Sequence, residues 1–112
     1  MINNSLEAKI REFQNNVDWD CISCYTLSES FIREFQNNVD WDCISCYQTL
    51  SEPFIREFKK KVHWETISIY QTLSEPFIRE FQNNVNWKEI SCNQTLSKHF
   101  IKEFIEPLHN SK

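Results

Sequence analysis

Large apolar residues recur four apart at Leu50, Phe54, Phe58 and Val62, with Ile55 beside them. That spacing lays one apolar stripe along a helix. Ser51 stands just before the stripe as an N-cap, and Pro53 falls in the first turn, where its missing N–H costs little. Leu50 ahead of the cap and Ile55 within the helix have the spacing of a hydrophobic staple. A second start signal follows a dozen residues later. Asp18, Asp40, His63 and Asn86 hold one equivalent position, each with Val before it and Ile four residues after it. Asp and Asn cap well; His is a weaker choice. The pattern predicts a helix of about three turns, a tight turn, and a short helix, Trp41 to Gln48 in the second copy. The intervening turn reads Gln-Asn-Asn-Val, and Asn38 is expected to take a left-handed conformation there, since no glycine is available.

The same words return along the whole chain. "IREFQNNVDWDCISCY" spans Ile10 to Tyr25 and again Ile32 to Tyr47. "IREFKKKVHWETISIY" follows at Ile55 to Tyr70, "IREFQNNVNWKEISCN" at Ile78 to Asn93, and "IKEF" opens a partial copy at Ile101. Successive copies step by 22, 23, 23 and 23 residues; the short step reflects a glutamine missing from "CYTLSES". Neither helix of a copy buries its apolar face alone, whereas stacked copies do. The fold class expected is therefore all-α, an α-solenoid of stacked helix-turn-helix repeats, about four and a half in number, with five longer helices alternating with four shorter ones. The chain reads as a single repeat domain over 1–112. Residues 1–17 form an N-terminal capping helix with polar Ala8-Lys9, residues 18–96 the stacked hairpins, and residues 97–112 a capping helix ending at Pro107 and a polar tail.

The motif "LSE-x-FIREF-x3-V-x-W-x2-IS-x-YQ" resembles a short tandem repeat of uncharacterised proteins of giant amoeba-infecting viruses. The resemblance runs from Leu6 to Phe104. It implies a viral repeat protein in a host cytoplasm and names no activity or site. Copy one departs in lacking the glutamine and the opening "LSE", and copy four in having Asn93 for Tyr.

Composition narrows the functions. The net charge is −4, which argues against a nucleic-acid binder with its basic face. No apolar run reaches membrane-spanning length, and the first residues lack the apolar core of a secretory signal. The glycosylation-like triplets at Asn3 and Asn93 therefore carry no weight, and the five cysteines are expected as free thiols in a cytosol. With no glycine at all, phosphate-binding loops, dinucleotide-binding turns and nucleophile elbows cannot be built in their usual form. His63, His99 and His109 gather no acid or nucleophile in sequence, so no enzyme is expected and no cofactor.

Two "CISC" words, Cys21–Cys24 and Cys43–Cys46, give C-x2-C-x18-C-x2-C, a spacing that fits zinc. Zinc needs four ligands, with sulfur at about 2.3 Å. The third copy has Thr66 and Ile69 in these places, so the spacing follows from duplication, and the cysteines read as small apolar packing residues. A zinc or thiol-redox module on the two pairs stands as the alternative function. The leading expectation is a non-enzymatic scaffold for a protein partner, with no nucleic acid and no membrane. Its candidate contacts are a charged ladder, Arg33-Glu34, Arg56-Glu57 and Arg79-Glu80, and the run Lys59, Lys60, Lys61, suited to an acidic partner. The tryptophans Trp19, Trp41, Trp64 and Trp87 read as packing between repeats.

Overall fold

A computed structural model describes residues 2–110, with side chains from 6 to 108. Every regular element among them is helical. They are α1 (Ile2–Glu12), α2 (Trp19–Ile22), α3 (Glu29–Glu34), α4 (Trp41–Tyr47), α5 (Glu52–Glu57), α6 (Trp64–Tyr70), α7 (Glu75–Glu80), α8 (Trp87–Asn93), α9 (Lys98–Phe100) and α10 (Glu106–Asn110). A π-helical turn, Ile101–Ile105, joins α9 to α10 without a break, so the described residues form nine continuous helices. This is the expected all-α helical-repeat architecture. The chain divides into two compact units, Met1–His63 and Trp64–Lys112; the division falls inside the third copy, between its cap residue and its second helix.

Within each unit the apolar stripe faces inward as the pattern predicts. Phe54, Ile55, Phe58 and Val62 are buried in the first unit, and Phe77, Ile78, Phe81 and Val85 take the same places in the second. Each of the second helices α4, α6 and α8 buries one isoleucine, Ile44, Ile67 or Ile90, completely. Its tryptophan then covers two phenylalanines of the next copy. Trp41 lies 6.2 Å from Phe54 and 5.2 Å from Phe58, and Trp64 lies 6.3 Å from Phe77 and 5.1 Å from Phe81. Offset and tilted rings at these separations contribute beyond their buried area. The packing role expected for the tryptophans is the one they have.

The caps are also where the sequence placed them. Ser51 Oγ accepts the N–H of Phe54 at 3.2 Å, and Asp40 Oδ1 accepts those of Asp42 and Cys43. Three expectations need correction. In the second, third and fourth copies the first helix is not the longer one: α3, α5 and α7 have six residues each, and α4, α6 and α8 seven. The α-helix stops at Glu57, because Phe58 leaves the α region with φ −107° and ψ 32°. Its carbonyl then receives two donors, Lys61 N–H at 2.8 Å and Val62 N–H at 3.0 Å, and these close the turn. The second correction follows from the first. Asn38 is not left-handed, and no described residue has positive φ. Asn38 and Val39 both donate to Phe35 O, at 2.9 and 3.1 Å, so the orphan carbonyl is satisfied with right-handed backbone and glycine is unnecessary. Third, Pro107 does not end the last helix. Glu106 N–H bonds five residues back to Ile101 O, and the wider turn ahead of the proline accommodates its ring and its missing donor.

Candidate functional site

The repeats are joined by polar bonds that connect one copy to the next, and these decide which side chains remain for a partner. Ser23 Oγ, fully buried, donates to Trp19 O at 2.6 Å and accepts the backbone N–H of Asp40 at 2.8 Å. Ser68 repeats this with Trp64 O and Asn86 N–H, and Ser45 accepts from His63 N–H at 3.0 Å. Gln48, 5% exposed, donates to Ser23 O and Tyr25 O and accepts Leu27 N–H at 3.0 Å. Gln94 does the same for Ser68 O, Gln71 O and Leu73 N–H. These glutamines close the carbonyl end of the preceding copy's second helix. The "LSE" glutamate, and Glu7 at its place in copy one, completes the joint: Glu7 holds Ser28, Glu29 holds Ser51 and Glu75 holds Ser97, each through N–H and hydroxyl.

The charged ladder is also used between copies. Arg33 donates through Nε and Nη2 to Glu57, at 2.9 and 2.7 Å, while Arg11 grips Glu34 and Arg79 grips Glu103. Hydrogen bonding from each arginine holds these three carboxyls below the usual carboxylate range, and raises the arginines in turn. Arg33 also lies over the Phe54 ring, 5.5 Å from its centroid. Arg56 and Glu80 are exposed, and neither is without a partner. The ladder thus presents charge pairs already matched within the chain. Exposed pairs of this kind stabilise little.

The lysine run lies at the turn after α5. With Gln36, Glu57 and Phe58 it lines an open concavity of about 400 Å³. Lys61 Nζ donates to Asn37 Oδ1 at 3.0 Å. In the second unit, Glu75, Pro76, Arg79 and Glu80 line a concavity of about 410 Å³. The sequence pattern therefore brought Glu57 together with Lys59, Lys60 and Lys61, and Arg79 with Glu80.

The cysteines are not the packing residues expected. Cys21 and Cys24 are exposed and Cys43 and Cys46 half-buried; on α4, which carries the second pair, Ile44 and Ser45 are the residues turned fully inward. The Cys24 thiol donates to Asp20 O at 3.7 Å and bears on Cys43, a thiol of the other "CISC". Partial burial, the neighbouring Cys24 thiol and the nearby Asp40 push the Cys43 thiol up to about 12. Exchange chemistry runs through thiolate, which is scarce at such a site near neutral pH. Among the described residues no group of three or more His, Cys, Asp and Glu side chains is placed to hold a metal ion.

Sequence reasoning missed one row. Tyr25, Tyr47 and Tyr70 are 51%, 61% and 59% exposed. The signal was present: tyrosine ends the "ISxY" word in three copies, at a position that no apolar stripe claims.

Fold and site together define an all-α protein of helical-hairpin repeats. No family model matches the chain, and no curated protein or solved structure is similar enough to set beside it. No helix among the described residues is long and apolar enough to cross a membrane.

Proposed function

We propose that the chain is a non-enzymatic scaffold that binds a protein partner. One observation carries this reading: tyrosine recurs, exposed, at the end of the second helices α4 and α6 and just beyond that of α2, although the joints between copies are made by serine, glutamine and glutamate. A tyrosine in water is a large, stiff contact with little rotamer entropy to lose, and such residues dominate binding hot spots. Tyr25 and Tyr47 repeat this contact within the first unit, at equivalent positions of successive copies, so a partner meets the same group twice. That is how repeat arrays present extended surfaces. The proposed setting, a host-cell cytoplasm, rests on the resemblance of the repeat alone.

The test is a selection of random peptides by display on the intact chain, followed by binding to the Y25S/Y47S variant. Selected peptides should bind the parent and lose at least about tenfold in affinity on the variant, with the helical circular dichroism unchanged. Failure to enrich any peptide, or binding that the variant leaves intact, overturns the reading.

A further inference from the structure

The run Lys59-Lys60-Lys61 stands where other copies have the neutral word Gln-Asn-Asn, and the main chain of the turn does not require the change. The turn is closed by the same main-chain bond in every copy: Asn16, Asn38, Lys61 and Asn84 donate to Phe13, Phe35, Phe58 and Phe81 at 2.8, 2.9, 2.8 and 2.8 Å. In the copies after the first, the phenylalanine beneath it is equally buried with either word: Phe35, Phe58 and Phe81 are 6%, 5% and 5% exposed. Three cations have thus been placed at one turn of a chain whose net charge is −4, with the backbone unaltered.

The surroundings let Lys60 and Lys61 meet an anion. Glu57 is the one acid lining the concavity, and its carboxylate is gripped by two hydrogen bonds from Arg33. Lys61 is steadied by the neutral amide oxygen of Asn37, which orients the ammonium and leaves its charge in place. Lys60 is exposed beside it. A space of about 400 Å³ is enough for one or two side chains, not a folded domain. Elsewhere the first unit exposes acid, including Asp20 and Asp42 on its second helices. A long polyanion such as nucleic acid would be repelled there, and its affinity depends on many cations along its path. A short carboxylate-bearing segment meets no such penalty.

We propose that this concavity seats an acidic peptide segment of a partner protein, with adjacent Asp or Glu side chains meeting Lys60 and Lys61. The inference rests on the reading of the chain as a protein-binding scaffold and names the partner's chemistry, at residues other than the tyrosines. Such contacts act through rim charge, so they set salt dependence and association more than bulk affinity.

The test uses the whole chain and a fluorescent eight-residue peptide alternating Glu and Asp, read by anisotropy at low and moderate salt. A Gln/Asn peptide and a single-stranded oligonucleotide of matching charge serve as probes beside it. The variant is K59Q/K60N/K61N, which installs the word found in three other copies and so keeps the turn. The expected result is acidic-peptide binding that weakens with salt and falls about tenfold or more in the variant, the scale of a few exposed charge pairs. The Gln/Asn peptide should not bind, and Y25S/Y47S should bind the acidic peptide as the parent does. Equal binding by parent and lysine variant, no binding at low salt, or tighter binding of the oligonucleotide overturns the inference. Should the acidic peptide fail while display-selected peptides still depend on the tyrosines, the scaffold reading stands and this inference alone falls.

Discussion

The carboxylate of Glu29 accepts both the backbone N–H and the hydroxyl of Ser51, at 2.8 and 3.0 Å, from 22 residues away. A capping box normally closes within one helix, its N3 glutamate reaching back to its own N-cap. Here the two halves of the box belong to successive copies. Glu29→Ala should therefore weaken the association of two copies as well as the start of α5. The expected loss is about 1.5–3 kcal/mol, the range for hydrogen bonds to a charged group. Urea unfolding followed by circular dichroism measures it; a loss under about 0.5 kcal/mol, typical of a surface change, would refute the shared box.

Gln48→Ala removes three bonds at a buried site and strands Leu27 N–H with the carbonyls of Ser23 and Tyr25. Roughly 2–4 kcal/mol of destabilisation is expected, since each stranded group costs about 1–3 kcal/mol where water cannot replace the partner. Chemical denaturation of the variant beside Thr49→Ala, an exposed neighbour, separates the clamp from a general effect of substitution.

Ser68 and Ser91, which hold one position in successive copies of the second unit, should behave differently. Ser68→Ala unpairs the N–H of Asn86, at an expected cost of about 1–3 kcal/mol. Ser91 is exposed and bonds only to Lys88 O at 2.9 Å, so Ser91→Ala should stay within about 0.5 kcal/mol of the parent. Similar losses for both variants would show that the hydroxyl's partner in the next copy is unimportant.

Acid titration should report the ladder. Glu34, Glu57 and Glu103 titrate lower in the folded chain than in the unfolded one, because arginine bonds favour the charged carboxylate. Their stabilisation is complete above the unfolded carboxylate pKa and is lost as pH falls through the folded value. Glu57→Gln should reduce the acid-dependent loss of helix and leave stability near neutral pH little changed, an effect that high salt diminishes. A neutral-pH loss as large as that of Gln48→Ala would contradict it.

Alkylation of the native chain should spare one thiol. With its pKa pushed up to about 12, Cys43 should react with iodoacetamide far more slowly at pH 8 than the exposed Cys21 and Cys92. Peptide mass spectrometry over a time course reads the order directly. In the same preparation a strong chelator should leave the helical spectrum unchanged; loss of helix would restore the zinc reading of the "CISC" pairs.

The architecture was legible because its signals are local and repeated. The stripe through Phe54 and Phe58, the caps Ser51 and Asp40, and the register of Trp41 each declare themselves within a few residues. What escaped were bonds whose partners lie a full copy apart. Glu29 shows in the sequence only as part of the "LSE" word, not as the holder of Ser51. Gln48 was visible as the cause of a 23-residue step, but not as a clamp. The ladder's pairing was hidden for the same reason, since Arg33 meets Glu57 and not the Glu34 that adjoins it. The turn failed differently: Asn suggested a left-handed residue, whereas the bifurcated acceptance by Phe35 O makes one unnecessary.

The serine joint has a consequence for how such a chain diverges. Ser23, Ser45 and Ser68 each hold the main chain of the next copy, whatever side chain that residue carries: aspartate, histidine or asparagine. The attachment is blind to the identity of what it holds. Substitutions there can accumulate without loosening the array, and each copy is free to acquire its own surface chemistry. Only proline, which has no N–H to offer, would unfasten it.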